Sequence, residues 1–108
     1  MSRNAERVHT DPTAIVRIQA WIEQLPSGAH VSLLMDDGAE ITGIVSARPM
    51  AQLFFGPDGT EGTNAVVRLE QPAMYHPERA HIHDVWLDRI VQIRRVDPEP
   101  QPGPTPGH

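Results

Sequence analysis

The stretch "LLMDDGAEITGIVSARP" (residues 33–49) places Asp37 and Gly38 between two apolar runs and a single glycine, Gly43, inside the second run. Apolar runs joined by Asp-Gly predict two antiparallel strands with a tight turn, in which Gly38 adopts a positive φ. A glycine inside a strand weakens a flat sheet, but it suits a strand that bends, because no Cβ resists the approach of neighbouring backbone. We therefore expect a small antiparallel sheet that curls into a barrel.

An amphipathic helix is predicted before this hairpin. Asp11 is a suitable N-cap, and Pro12 suits the first helical position. The segment "PSG" (residues 26–28) ends the helix. Apolar residues recur at intervals of three and four, which predicts one buried face, widened by Trp21, that covers the sheet. The recurring residues are Ile15, Ile18, Ile22 and Leu25.

Strand signals continue after the hairpin. The segment "FFGPDGTEGT" (residues 54–63) holds two turn signals and predicts a loop or a hairpin tip. The segment "NAVVRLE" (residues 64–70) predicts a third strand, with Ala65, Val67 and Leu69 on one face.

Two more strands are expected near the end of the folded part. The fourth runs from about residue 81 to residue 87, and the short turn "LDRI" (residues 87–90) leads into the fifth, "VQIRRV" (residues 91–96). The predicted fold class is α+β, mainly β: an N-terminal helix followed by a strongly bent five-stranded antiparallel barrel.

One domain is predicted between two simpler segments. Residues 1–10 are a polar N-terminal arm, and residues 11–96 carry the helix and the strands. Residues 97–108 have a proline at every second position from Pro98 to Pro106. Such a run forms no continuous hydrogen-bond ladder, so we expect a disordered, extended tail.

Composition excludes several classes of protein. The chain has no cysteine, so neither disulfides nor thiolate chemistry is expected. The formal net charge of −5 argues against duplex DNA as a partner, because such binding depends on neutralising phosphates. No stretch approaches the roughly 18 apolar residues of a membrane span, and no apolar leader is present, so we expect a cytoplasmic protein.

The order of these elements resembles the small barrel of the Sm and Sm-like proteins. The resemblance is carried by "DDGAEITGIV" (residues 36–45), "NAVVRLE", and "VWLDRIVQI" (residues 85–93). From "VHTDPTAIVRIQAWIEQLP" (residues 8–26) through "WLDRIVQI" (residues 86–93), the chain is also similar to a small uncharacterised bacterial family with a variant Sm-like fold. The resemblance implies a barrel fold. It implies no activity, because none is established for that family.

Sm-like proteins bind uridine-rich RNA in the loops after the second and fourth strands, and the resemblance implies candidate residues for such a site. Asn64 is the counterpart of the asparagine in the Sm loop, and Arg89 lies in the turn between the fourth and fifth strands. Thr60 and Gly62 stand where a companion aspartate and a base-stacking residue are expected, and the turn lacks the basic residue followed by glycine. Most parts of an RNA pocket are therefore missing.

Aromatic residues offer additional candidates. Phe54 and Phe55 can stack a base from an exposed loop, or they can fold back and close the barrel, which we favour in a chain with few aromatic residues. Sm-like proteins form rings by pairing the fifth strand with the fourth strand of the next subunit. Trp86, Val91 and Ile93 are accordingly candidate interface residues of a homo-oligomer.

Histidines suggest a third kind of site. In "YHPERAHIHD" (residues 75–84), His81 and His83 point to one face of a strand, and His76 can fold over them to form a three-nitrogen set like that of catalytic zinc. The alternative is that a polar loop contains these histidines by chance, and we favour it because nothing fixes a second shell. We expect no metal and no cofactor.

No recognisable nucleophile elbow or phosphate-binding loop is present. The sequence therefore predicts a non-enzymatic binding or assembly module that self-associates, with an unknown ligand. Two alternatives stay open, namely single-stranded, uridine-rich RNA binding and a metal-dependent enzyme built on the three histidines.

Overall fold

The structure, a computed structural model, describes residues 4–71 and 81–96. The predicted tail and His76 lie outside these residues. No helix in the described part is long and apolar enough to cross a bilayer. The elements are α1 (Pro12–Glu23), β1 (His30–Met35), β2 (Glu40–Val45), β3 (Gln52–Phe55), β4 (Glu61–Asn64), β5 (Val66–Gln71), β6 (His81–Trp86), a short 3₁₀ helix (Leu87–Arg89) and β7 (Ile90–Arg95).

Five of the seven described strands form one antiparallel sheet in the order β6-β5-β2-β1-β7. These are the five strands predicted from the sequence, and the fold class of one N-terminal helix on a mainly antiparallel β structure is confirmed. Strands β3 and β4 pair only with each other within the described sheets. The segment predicted as a loop or hairpin tip is therefore a complete hairpin with its own small sheet.

The helix forms as its sequence predicts. The Asp11 side chain accepts a hydrogen bond from the Thr13 amide at 3.4 Å, and Pro12 occupies the first turn. Ile18 and Leu25 are buried against the core, while Trp21 is partly buried beside them. The apolar stripe therefore covers the sheet.

Gly38 and Gly43 have different structural roles. Gly38 has a φ of 88° and closes the β1–β2 turn, as predicted. At Gly43 a Cβ would lie 3.0 Å from both the carbonyl oxygen of Glu70 and the Cβ of Leu69. Strand β2 passes so close to β5 that only glycine fits without a shift.

The sheet is strongly bent. This follows from the very short connection between its two edge strands. Trp86 ends β6 and Ile90 begins β7, and four residues span at most about 14 Å. The edges of a flat five-stranded sheet would lie about 19 Å apart, given the usual strand spacing. The inner faces enclose one apolar cluster that includes Val31, Leu33 and Leu69, all fully buried.

Candidate functional site

Asn64 lies at the end of β4 and is 1% exposed. Its Nδ2 donates to the carbonyl oxygen of Arg7 at 2.9 Å, and its Oδ1 accepts from the amide of Ala65 at 2.8 Å. The amide group thus joins the N-terminal arm to the start of β5. A base could reach this side chain only if the arm moved, and RNA contact by Asn64 stays a prediction.

The arm itself, residues 4–10, packs across the β3–β4 hairpin. The Ala5 amide donates to the Phe55 carbonyl at 2.9 Å, and His9 and Thr63 exchange two main-chain hydrogen bonds of 2.9 and 2.8 Å. At Gly62 a Cβ would lie 2.9 Å from Val8 Cβ, closer than real Cβ atoms come. Sequence reasoning missed this contact, although a glycine inside a short strand is a signal for close backbone approach.

Arg89 is held by the turn between β1 and β2. Its Nε lies 3.2 Å from Asp36 Oδ1, and its Nη2 lies 3.3 Å from Asp37 Oδ2. Asp36 also pairs with Arg7 at 3.3 Å. The hydrogen bond that Arg89 donates to the Asp36 carboxylate is the largest cause of the raised Arg89 pKa. The guanidinium therefore ties two turns together, and RNA contact by Arg89 stays a prediction.

The Asp88 side chain, which is 5% exposed, anchors the arm. His9 Nε2 lies 2.8 Å and Arg7 Nε 3.3 Å from the same oxygen, Oδ2. A cavity of about 260 Å³ beside this cluster is also lined by Arg17 and Trp21. Trp21 Nε1 is buried and has no hydrogen-bond partner within the described chain. The volume is below the usual range for ligand sites, roughly 300 to 1,000 Å³.

The two phenylalanines differ, although the sequence predicts burial for both. Phe54 is buried and packs edge-to-face on Trp86, with ring centroids 5.1 Å apart. Phe55 is 36% exposed on the opposite face of β3. Trp86 therefore connects the hairpin to the main sheet, and Phe55 is the better placed of the two for stacking.

The histidine set is only partly described. The rings of His81 and His83 lie 6.3 Å apart on β6. His83 Nε2 is 3.1 Å from the Gln71 side-chain oxygen, and the Gln71 amide donates to the Thr42 carbonyl. Residues 4–71 and 81–96 hold no group of three metal-ligating side chains. A metal site that includes His76 lies outside the described residues and stays a prediction.

Within residues 4–71 and 81–96, β6 and β7 are the strands at the two edges of the main sheet. Val91, on β7, is 47% exposed and falls where the β1–β7 register shifts. Ile93 is partly buried against the core, and Ile82, on β6, is 60% exposed. Of the three predicted interface residues, Val91 is thus the most accessible, while Trp86 packs against Phe54.

Comparison with known proteins agrees with this architecture. The crystal structure of XC5848 from Xanthomonas campestris, described as adopting a novel variant of the Sm-like motif, superposes with a TM-score of 0.80. Sequence identity is 27%, and the match covers 90% of this chain and all of that one. A search of curated proteins finds no match.

The sequence also matches a family model over residues 2–96, which leaves only the first residue and the tail outside the match. The suspected kinship with an uncharacterised family of variant Sm-like fold is thereby confirmed. The chain belongs to the family described as a domain of unknown function, DUF3247.

Proposed function

We propose that the protein is a non-enzymatic binding or assembly module that self-associates through the two open edges of its five-stranded sheet. Its ligand is unknown. The observation that carries the proposal is that β6 and β7 each lie at an edge of the sheet and each expose an apolar side chain. Unprotected edges present main-chain donors and acceptors to another chain.

The register of β7 supports pairing with another strand. The Val96 amide donates to the His30 carbonyl of β1 at 2.8 Å. Because hydrogen-bonded pairs alternate along antiparallel strands, the main-chain groups of Ile93 point away from β1 towards the open edge. A second copy could therefore extend the sheet there.

Side chains on both edges favour burial in such a contact. Val91 on β7 and Ile82 on β6 are among the largest exposed apolar residues of the described chain. Burying apolar area stabilises an interface by about 25 cal/mol per Å² before the costs of association. An edge-to-edge contact would remove both side chains from water.

Light scattering after size-exclusion chromatography tests the proposal. The full chain has a mass of 12.0 kDa, and we expect an assembly of at least twice that mass whose proportion rises with concentration. Val91→Asp and Ile82→Asp place a charge at each edge and should shift the protein towards monomer. Leu53→Asp is the matched control, because Leu53 is 61% exposed on β3, outside the main sheet.

A protein that stays monomeric at every concentration would contradict self-association. Equal dissociation by Leu53→Asp would contradict the assignment of the contact to β6 and β7.

A further inference from the structure

A shallow apolar groove lies between the exposed face of α1 and the connection from β2 to β3. Its volume is about 720 Å³. Val16 is 61% exposed and Met50 is 68% exposed along it. The apolar lining consists of Val16, Ala20, Ile22, Pro49, Met50 and Ala51.

The groove is electrically neutral. Its two charged lining residues, Glu23 and Arg48, pair with each other at 2.6 Å between Oε2 and Nη2. Gln19 supplies a neutral amide. A strongly charged partner would find no unpaired counter-charge among these lining residues, so the groove suits an uncharged, apolar segment.

We propose that the chain's own proline-rich tail, residues 97–108, docks in this groove. The part from Pro100 to Gly107 reads "PQPGPTPG" and contains no acidic or basic side chain. Proline rings offer apolar surface to Val16 and Met50. Proline also restricts the unbound chain, so less conformational entropy is lost when the segment is fixed in an extended form.

The tail starts close enough to reach the groove. Val96 is hydrogen-bonded to His30, and one strand spacing is about 5 Å. From His30 back to Glu23, at the edge of the groove, seven residues span at most about 25 Å even when extended. The distance from Val96 to the groove is therefore at most roughly 30 Å, the strand spacing plus the span from His30 to Glu23. Twelve residues in the polyproline II form cover about 37 Å, which is longer.

Attachment to the same chain favours the tail over a separate partner. A tethered segment has an effective concentration in the millimolar range when its length matches the span. Weak contacts between prolines and a shallow groove are then sufficient for occupancy. Docking would also restrain a tail that the sequence alone predicts to be mobile.

A spin label tests the contact directly in the full chain. The protein has no cysteine, so Thr105→Cys provides a single attachment point. We expect the label to broaden the Met50 methyl resonance more strongly than that of Met35, which is buried at the far end of β1. Val16→Asp should abolish the broadening, whereas Leu53→Asp, with the same 61% exposure, should leave it.

A mixture identifies the source of any signal. Isotope-labelled chains without a spin label are combined with spin-labelled chains that carry no isotope. Broadening of Met50 in the mixture would assign the groove to the tail of another copy and overturn the proposal. The proposal would also be overturned if the singly labelled chain showed no broadening, or if the broadening persisted in Val16→Asp.

Discussion

The five-stranded sheet and the β3–β4 hairpin differ in what holds them in place. In the sheet, Val31, Leu33 and Leu69 are fully buried in one apolar cluster. The hairpin buries one large apolar side chain, Phe54. Apolar burial therefore dominates the stability of the sheet, while the hairpin depends on a single ring and on hydrogen bonds to the arm.

The difference indicates two units of unequal stability. The arm bonds to Phe55 and Thr63 through its main chain, and Asn64 bonds back to Arg7. The arm and the β3–β4 hairpin therefore support each other, but few apolar contacts connect them to the five-stranded sheet. Regions with few buried apolar contacts open at lower free energy than the core.

The largest effect is expected for Leu33→Ala in the sheet. Leu33 is fully buried, and removing a buried leucine side chain costs roughly 2 to 5 kcal/mol because a cavity remains. The loss should appear in the global free energy of unfolding measured with urea, and in amide exchange throughout the sheet. A loss below about 1 kcal/mol would show that the cluster repacks and that the sheet is not the more rigidly packed unit.

A smaller effect is expected for Phe54→Ala. The substitution removes the edge-to-face contact with Trp86 and should cost about 2 kcal/mol, less than the 3 to 5 typical of enclosed cores. Amide exchange should accelerate in β3, β4 and the arm and change little in β1. Phe55→Ala is the control, and an equal loss there, or uniform acceleration across the sheet, would contradict a separate hairpin unit.

The main sheet could be predicted because its determinants are local. Asp37 and Gly38 specify the turn, and the alternation in β5 places Val67 and Leu69 inside. Gly43 also predicts the close approach of another backbone, although the Glu70 carbonyl that approaches it is far along the chain.

The environment of the candidate site could not be predicted in the same way. Asn64 is predicted to contact RNA, but its side chain bonds to a carbonyl 57 residues earlier in the chain. Arg89 pairs with an aspartate 53 residues away. Hydrogen bonds at such separations depend on the packed fold and leave no periodic pattern in the sequence.

Gly62→Ala should separate the arm from the hairpin. The new Cβ would lie 2.9 Å from the His9 carbonyl oxygen, and backbone cannot yield as a flexible side chain can. We expect a loss of about 1 to 2 kcal/mol and faster proteolysis near the arm. Gly43→Ala is the counterpart in the sheet and should accelerate exchange in β2 and β5 instead. Identical exchange patterns would contradict the division into two units.

The smallest effects are expected at the two hairpin turns, where aspartates are held in different ways. Partial desolvation raises the pKa of Asp36, but hydrogen bonds from Arg89 and Arg7 outweigh it and hold the pKa below the ordinary value. The pKa of Asp58 is lowered mainly by a hydrogen bond from the Thr60 amide, at 3.0 Å. Both carboxylates are exposed, so each substitution to asparagine should lower the melting temperature only slightly at pH 7.

The pH and salt dependence should distinguish the two turns. A lowered folded-state pKa stabilises the protein above the unfolded-state value, about 3.9, and this stability is lost as pH falls through the lower folded value. Wild type and Asp36→Asn should therefore converge in acid. Salt at neutral pH should also shrink the Asp36→Asn effect, because it screens ion pairs between exposed side chains. Asp58→Asn should respond less to salt, since its partner is a neutral amide, and equal salt sensitivity would refute this distinction.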